Sequence, residues 1–510
     1  MLFTDPCFLF LFLPVVLAVY YFTPRAGKNF VLLGASVIFY ALGEGWSTFV
    51  VLASIIINFL IGHWIQSVLD SSRLAAADAA GAEPNQLQYS PEDRKRAHFA
   101  IAAGVVINLV LLCAFKYSAF LVGNLNFVLV AAHLHALPLP KIHLPLGISF
   151  FTFHALSYIT DIWRQEVKPM KRLSSFGLYI MLFPQLIAGP IIRYKTICDQ
   201  FTIGGERGRR HSWDLFAEGV RRFIIGFGKK MLIANTVAQT ADTIFTIRPT
   251  LITPAVAWLG VVCYTLQIYF DFSGYTDMAV GLGKMFGFTF PENFNYPYIA
   301  TSITDFWHRW HMTLSSWFRD YLYIPLGGNR VPKWRVYLNL LIVFFLCGLW
   351  HGAMWTFVVW GLFHGAFLII ERIGLRKWLE GSLVLRHIYV LLVVMVGWVF
   401  FRSNTFTAAG EFLGRMAFVG GNDAAFFTLK QCVTRTLVIA AVVGVLGSMP
   451  LADWIGAAID RAGRTARGGR LWPVDLMAGM AELAAMVAIF LASTALSAKG
   501  TYNPFIYFRF

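Results

Sequence analysis

The chemistry-bearing residues of this chain are imidazoles set in apolar surroundings. His351 lies in CGLWHGAMW (347–355), between the runs VYLNLLIVFFLCGLW and AMWTFVVWGLF. An ionisable group at membrane depth is costly and marks function by default. A histidine's ordinary pKa lies near neutrality, so such a ring can take and return a proton. Gly348 and Gly352 leave room for backbone or ligand beside it. The competing reading is a hydrogen-bonded core histidine. A second place is DFWHRWHMTLSSWFRDYLYIPLGGNR (305–330). Its His308 and His311 stand at i, i+3, which predicts one shared helix face. Arg309 and Arg319 flank them, Trp307, Trp310 and Trp317 suit an interface, and Gly327-Gly328-Asn329 makes a turn. The bland alternative is an amphipathic surface helix. No H-E-x-x-H or carboxylate pattern favours a metal. In YFDFSGYTDMAVGLGKMFGF (269–288), Asp271 and Asp277 are expected at or near a helix end, as structural caps of a broken helix. Glycines 281, 283 and 287 are too sparse for a phosphate loop. His154 and Asp161 form a plausible inward-facing pair, or simple helix–helix hydrogen bonds. His364 follows His351 at about 220° round a helix and reads as a packing partner.

The elements that position these residues must be membrane helices. The chain has 510 residues, 57% hydrophobic but only 14% charged. A soluble chain carries about 25% charged residues. A soluble enzyme, a disordered chain, a collagen and a disulfide scaffold are thereby excluded. Apolar stretches of about 16–24 residues match a bilayer crossing. Expected spans are 8–22, 29–43, 47–66, 98–115, 145–163, 254–270, 336–350, 353–370, 388–401, 434–449 and 475–497, about 11 in all, with weaker candidates at 175–192 and 223–239. The fold class is thus all-α and polytopic. The net charge of +15 fits Lys/Arg-rich cytoplasmic loops, and no nucleic-acid partner is expected. The six cysteines are scattered, with no C-x-x-C, so neither disulfides nor a metal is indicated. The first span reads as a retained helix, not a signal peptide. Loop charges put the N-terminus outside. FPQLIAGPIIRY (183–194) has basic flanks and helix-breaking Pro184, Gly189 and Pro190, which predicts a re-entrant segment. Segments 67–97 and 455–473 read as solvated linkers, and 291–335 as an interfacial segment. The runs around His351 form a hairpin that starts and ends in the cytoplasm, with His351 near its far turn.

At these motifs the chain resembles the membrane-bound O-acyltransferases, and within them the alginate O-acetyltransferase type of bacterial polysaccharide acetylase. The resembling segments are LPLGISFFTFHALSYITDIWR (144–164), FPQLIAGPIIRY, IYFDFSGYTDMAVGLG (268–283), NFNYPYIATSITDFWHRWHMTLSSWFRDYLYIPLGGNR (293–330), LWHGAMWTFVVWGLFHG (349–365) and YNPFIYFRF (502–510). The resemblance implies a helical ring around a thin centre pierced by a tunnel. It implies that His351 is the family's essential histidine and that His311 matches a second position, His or Asn across the family. His308 departs from a pattern in which Arg is common, so no catalytic role carries over to it. The implied arrangement is a single domain over 1–510: N-terminal helices 1–143, a catalytic core 144–373 and C-terminal helices 374–510. The implied place is a bacterial inner membrane, with both termini extracytoplasmic.

The resulting expectation is acetyl transfer from a cytoplasmic donor, acetyl-CoA, through a tunnel to a hydroxyl of an exported polysaccharide or of a periplasmic relay protein. No bound cofactor or metal is expected. His351 would accept the hydroxyl proton, help of about 10²–10⁴-fold. His311 would orient the thioester or stabilise the oxyanion. Arg309, Trp310, Asn329 and Trp350 are the candidate substrate-binding residues. No G-x-S-x-G motif is present, which favours direct transfer over an acyl-enzyme. The short outside loops call for a periplasmic acetyltransferase or polysaccharide export partner. The alternatives are D-alanyl or another acyl group from a carrier protein to a cell-wall polymer, and a glycan or lipid transporter.

Overall fold

The computed structural model describes residues 2–80, 91–202, 208–419, 426–451, 454, 472–500, 502–503 and 505–506. Among these the chain is helical and holds no β-strand. Eight helices are long and apolar enough to cross a bilayer, and two shorter apolar helices accompany them. The helix beginning at Ser47 runs on to Ala80, and another begins at Pro91. Much of the expected 67–97 linker is therefore helix, because Ala, Leu and Asp there do not break the turn. Most of the expected 455–473 linker lies outside the described residues. The chain divides into two compact units, one made of 1–2, 7–216 and 283–291, the other of 3–6, 217–282 and 292–510.

The first unit contains α1 (Phe8–Phe22), α2 (Arg25–Glu44), α3 (Ser47–Ala80), α4 (Pro91–Leu112), α5 (Ile148–Trp163) and α6 (Leu173–Met181). α3 and α4 are joined by Asn58 and Asn108, whose side-chain amides donate to each other's Oδ1 at 3.1 and 2.7 Å. Neither amide is left unpaired in apolar surroundings, which is what membrane helix packing demands. α5 is buried along nearly its whole length. The 183–194 segment is broken backbone, with one helical turn at Phe183–Leu186. His154 Nε2 accepts from the Ile192 N–H at 3.2 Å, and Asp161 Oδ2 accepts from the Lys195 N–H at 3.3 Å. His154 thus supplies an acceptor that buried non-helical backbone needs, and Asp161 one for the first turn of the short helix Tyr194–Ile197.

The second unit takes α7 (Trp213–Gly228) from Ala217 onward, and α8 (Pro254–Met285) as far as Leu282. α8 is continuous for 32 residues, so Asp271 and Asp277 lie within it rather than at a helix end. Tertiary pairing overrides the capping signal of Ser273-Gly274. Asp271 is paired with Lys230 at 2.6 Å, and Asp277 with Arg222 and Lys229 at 2.7 Å each. The glycines of this stretch serve packing: a Cβ on Gly281 would sit 2.6 Å from the Gly219 carbonyl oxygen. Then follow α9 (Ile303–Arg309), α10 (Met312–Phe318), α11 (Lys333–His351), α12 (Trp355–Ile370), α13 (Leu383–Arg402), α14 (Phe406–Met416), α15 (Arg435–Gly447) and α16 (Trp472–Ala498). α11 and α12 form the expected hairpin. They approach closely because a side chain at Gly348 or Gly361 would collide with the Phe357 or Phe344 carbonyl.

Candidate active site

The site lies in the second unit. His351 is the last residue of α11, where Gly352 ends the helix in an extended conformation. His311 is placed by a break. Ser302 Oγ caps α9 by accepting from the Asp305 N–H at 2.9 Å. α9 stops at Arg309, whose carbonyl accepts from the Asn295 N–H at 3.0 Å. His311 then adopts φ 44°, ψ 52°, and α10 starts at Met312. A left-handed histidine is uncommon and must be held by its surroundings. The hold is Asn293, whose carbonyl accepts from the Met312 N–H at 2.9 Å.

This break corrects the expected shared face of His308 and His311. His311 is fully buried, whereas His308 is exposed and lines cavities of about 580 and 660 Å³. The i, i+3 relation holds only along an unbroken helix, and the signal that breaks this one comes from Asn293, outside the motif.

The imidazoles of His311 and His351 lie 6.4 Å apart between centroids, at 62°. Both face a gap of about 10 Å³, lined also by Phe272, Trp310, Trp360 and Phe401. That is room for roughly one water. Trp360 stands perpendicular to His351 at 5.0 Å, and Trp350 contacts both imidazoles edge-on, at 6.1 Å from His311 and 4.9 Å from His351. His364 is buried in the same aromatic packing, against Trp307 and Trp360.

Asn293 fixes the protonation pattern of His311. Its Oδ1 lies 3.1 Å from His311 Nδ1 and also accepts from the Thr313 N–H at 3.3 Å and the Thr313 hydroxyl at 2.9 Å. The Thr313 N–H can only donate, so the atom facing it is the amide oxygen. His311 Nδ1 must therefore carry the proton, and Nε2 carries the lone pair. Burial pushes the ring's pKa down to about 3, so it is neutral at physiological pH. Neutral Nε2 accepts a hydrogen bond and does not donate one. In that state it cannot donate to an oxyanion.

The other candidates divide. Trp310 and Trp350 belong to the aromatic surround of the two imidazoles. Asn329 lines the 580 Å³ cavity instead, where its Oδ1 accepts from Tyr323 at 2.7 Å and Arg372 at 3.1 Å. That cavity also receives Arg319 and Cys347. Arg309 lines neither space: it pairs with Asp305 at 2.8 Å and donates to the Asn295 carbonyl at 3.2 Å. Sequence reasoning missed Asn293, Trp360, Phe401 and Ile506. No local spacing points to them, although Asn293, Trp360 and Ile506 all lie in the resembling segments. Among the described residues no cluster of three metal-binding side chains occurs.

The model of the membrane-bound O-acyltransferase family matches residues 106–402, more than half of the chain. The chain belongs to the membrane-bound O-acyltransferase family. Both histidines and the whole α11–α12 hairpin fall inside the matched stretch. This O-acyltransferase is 39% identical to the probable alginate O-acetylase AlgI of Azotobacter vinelandii and 38% identical to that of Pseudomonas aeruginosa, in each case across the full length of both chains. It is 34% identical to the peptidoglycan O-acetyltransferase of Helicobacter pylori, over 82% of this chain and 80% of that one. The chain is therefore a multi-pass membrane O-acyltransferase, and a transporter is set aside.

Proposed function

We propose that this enzyme moves an acetyl group from acetyl-CoA on the cytoplasmic side of a bacterial inner membrane to a hydroxyl of an exported polysaccharide, alginate or a similar polymer, or of a periplasmic relay protein. The convergence of His311 and His351 on one small aromatic-walled gap carries this reading. His351 takes the proton of the acceptor hydroxyl as its oxygen attacks the thioester carbonyl. The C–S bond breaks, and the proton passes to the departing thiolate. His311, neutral and with its tautomer set by Asn293, flanks the hydroxyl without adding a charge that would oppose the proton on His351. The donor lies in the 580 Å³ cavity, where Arg319 and Arg372 meet its phosphates and Asn329 braces Arg372. The gap between the rings widens as the acyl group enters, so that the two compartments communicate only through substrate. No cofactor is held. Both termini face the periplasm, where a separate acetyltransferase or export partner presents the final polymer.

The alternative is D-alanyl or another acyl group supplied by a carrier protein. Reconstitution in liposomes with acetyl-CoA labelled on the acetyl carbon tests the proposal. Label is expected on a hydroxyl of the added polysaccharide or relay protein, and none with His351→Ala. Label retained on CoA with an active carrier-protein donor would move the assignment to the alternative.

A further inference from the structure

We infer that Ile506, carried by the C-terminal segment, is the wall that limits the length of the acyl group this enzyme transfers. The inference rests on the acyl-transfer reading above and assigns its specificity.

The gap at His311 and His351 is bounded mainly by aromatic rings that brace one another. Trp398 packs against Trp310 at 5.0 Å and against Trp360 at 6.0 Å. Those rings belong to, or directly adjoin, helices and can yield only together. Two aliphatic side chains complete the lining, Ile268 inside α8 and Ile506. Ile506 lies beyond the last helix, yet it is buried.

Its position is fixed by contacts that do not involve its side chain. The Ile506 N–H donates to Asp271 Oδ2 at 2.8 Å, while Asp271 Oδ1 pairs with Lys230 at 2.6 Å. Phe505 packs on Tyr275 at 4.8 Å. Asn503 accepts from Asn235 at 3.2 Å and donates to Thr4 Oγ1 at 3.0 Å. The backbone is anchored without the isoleucine, so shortening that side chain leaves the anchor and enlarges the gap. The buried Asp271–Lys230 pair thus has a purpose: through the Ile506 N–H it holds that residue against the site.

One methylene in an apolar pocket discriminates by about 10-fold or more. The test measures transfer from acetyl-, propionyl-, butyryl- and hexanoyl-CoA by the full-length wild type, Ile506→Val and Ile506→Ala in liposomes. The butyryl-to-acetyl ratio is expected to rise about 10-fold or more in Ile506→Ala, with Ile506→Val between it and wild type. Ratios within about twofold of wild type in both variants, with acetyl transfer persisting, overturn the inference. Loss of all transfer in Ile506→Val as well as Ile506→Ala also overturns it, since a wall set back by one methyl cannot block acetyl. A wild type that transfers no acyl group from CoA instead refutes the donor assignment, and that result is read before any variant.

Discussion

His311 and His351 lie 40 positions apart in the chain, yet their ring centroids stand 6.4 Å apart at 62°. The spacing has a chemical meaning. With hydrogen bonds of about 2.8 Å, a shared oxygen would lie about 4 Å from each centroid, the two directions meeting at roughly 105°. That is close to the tetrahedral angle of a hydroxyl oxygen. A water oxygen shares that geometry and can donate one proton to each ring, whereas an acceptor hydroxyl has one proton and gives it to His351.

Rings that flank one reacting oxygen act as a unit, and units respond non-additively. His351→Ala is expected to lower acetyl transfer by about 10²–10⁴-fold, and His311→Ala to lower it substantially. The double variant should be little worse than His351→Ala. Initial rates with labelled acetyl-CoA, taken with melting curves in detergent, check this. Losses that multiply in the double variant would show two independent roles.

Asn293 should act through His311. Asn293→Ala removes the acceptor that fixes the tautomer, and kcat is expected to fall about 10- to 100-fold with KM for acetyl-CoA nearly unchanged. Asn293→Asp places a negative charge beside the ring and raises its pKa from about 3. A cationic His311 6.4 Å from His351 opposes the proton that His351 must take, so the acid limb of the rate profile should move to higher pH in Asn293→Asp. Stability follows the same ring. In the unfolded chain the imidazole binds a proton below about 6.5, whereas in the folded chain it resists until about 3. Its neutral burial therefore costs stability progressively as pH falls from 6.5 toward 3. Melting temperature against pH should be flatter in His311→Asn over that window.

These two histidines also show how far the sequence could be read. The place of His351 was legible, because two apolar runs bracket it, although a hydrogen-bonded core histidine explained it equally well. The hairpin around it followed from its length and from Arg335 and Arg372. The eight long apolar helices were legible for the same reason of length. His311 was visible as a residue but not as a geometry. Its burial depends on a left-handed turn that Asn293 enforces from 18 positions away. Asp271 and Asp277 misled in a similar way. Their capping signal is local, whereas Lys230, Arg222 and Lys229 pair with them across tertiary structure and keep α8 unbroken. Short-range pattern finds helices and buried charges, while long-range partners decide what those charges do.

The Lys230–Asp271 pair is almost fully buried, so removing one partner strands a charge. Lys230→Met or Asp271→Leu alone is expected to cost about 3–5 kcal/mol, seen as a large fall in melting temperature and yield. The double variant should recover part of that loss, because no unpaired charge remains, although the Ile506 N–H still lacks its acceptor. Equal destabilisation in the double variant would mean the pair contributes through packing rather than charge.

Arg372 and Gly281 separate donor binding from packing. Arg372 faces the 580 Å³ cavity beside Asn329. Arg372→Ala is expected to raise KM for acetyl-CoA about 10-fold or more, with a smaller change in kcat, because a phosphate contact there is formed in the ground state as well as the transition state. Gly281 has no such contact. A Cβ there would lie 2.6 Å from the Gly219 carbonyl oxygen, which is backbone and cannot move aside. Gly281→Ala should therefore lower melting temperature by forcing α7 and α8 apart, with KM for acetyl-CoA close to wild type in the protein that folds. A raised KM at normal stability would instead place the donor's phosphates along the glycines of α8 and remove Arg372 from the site.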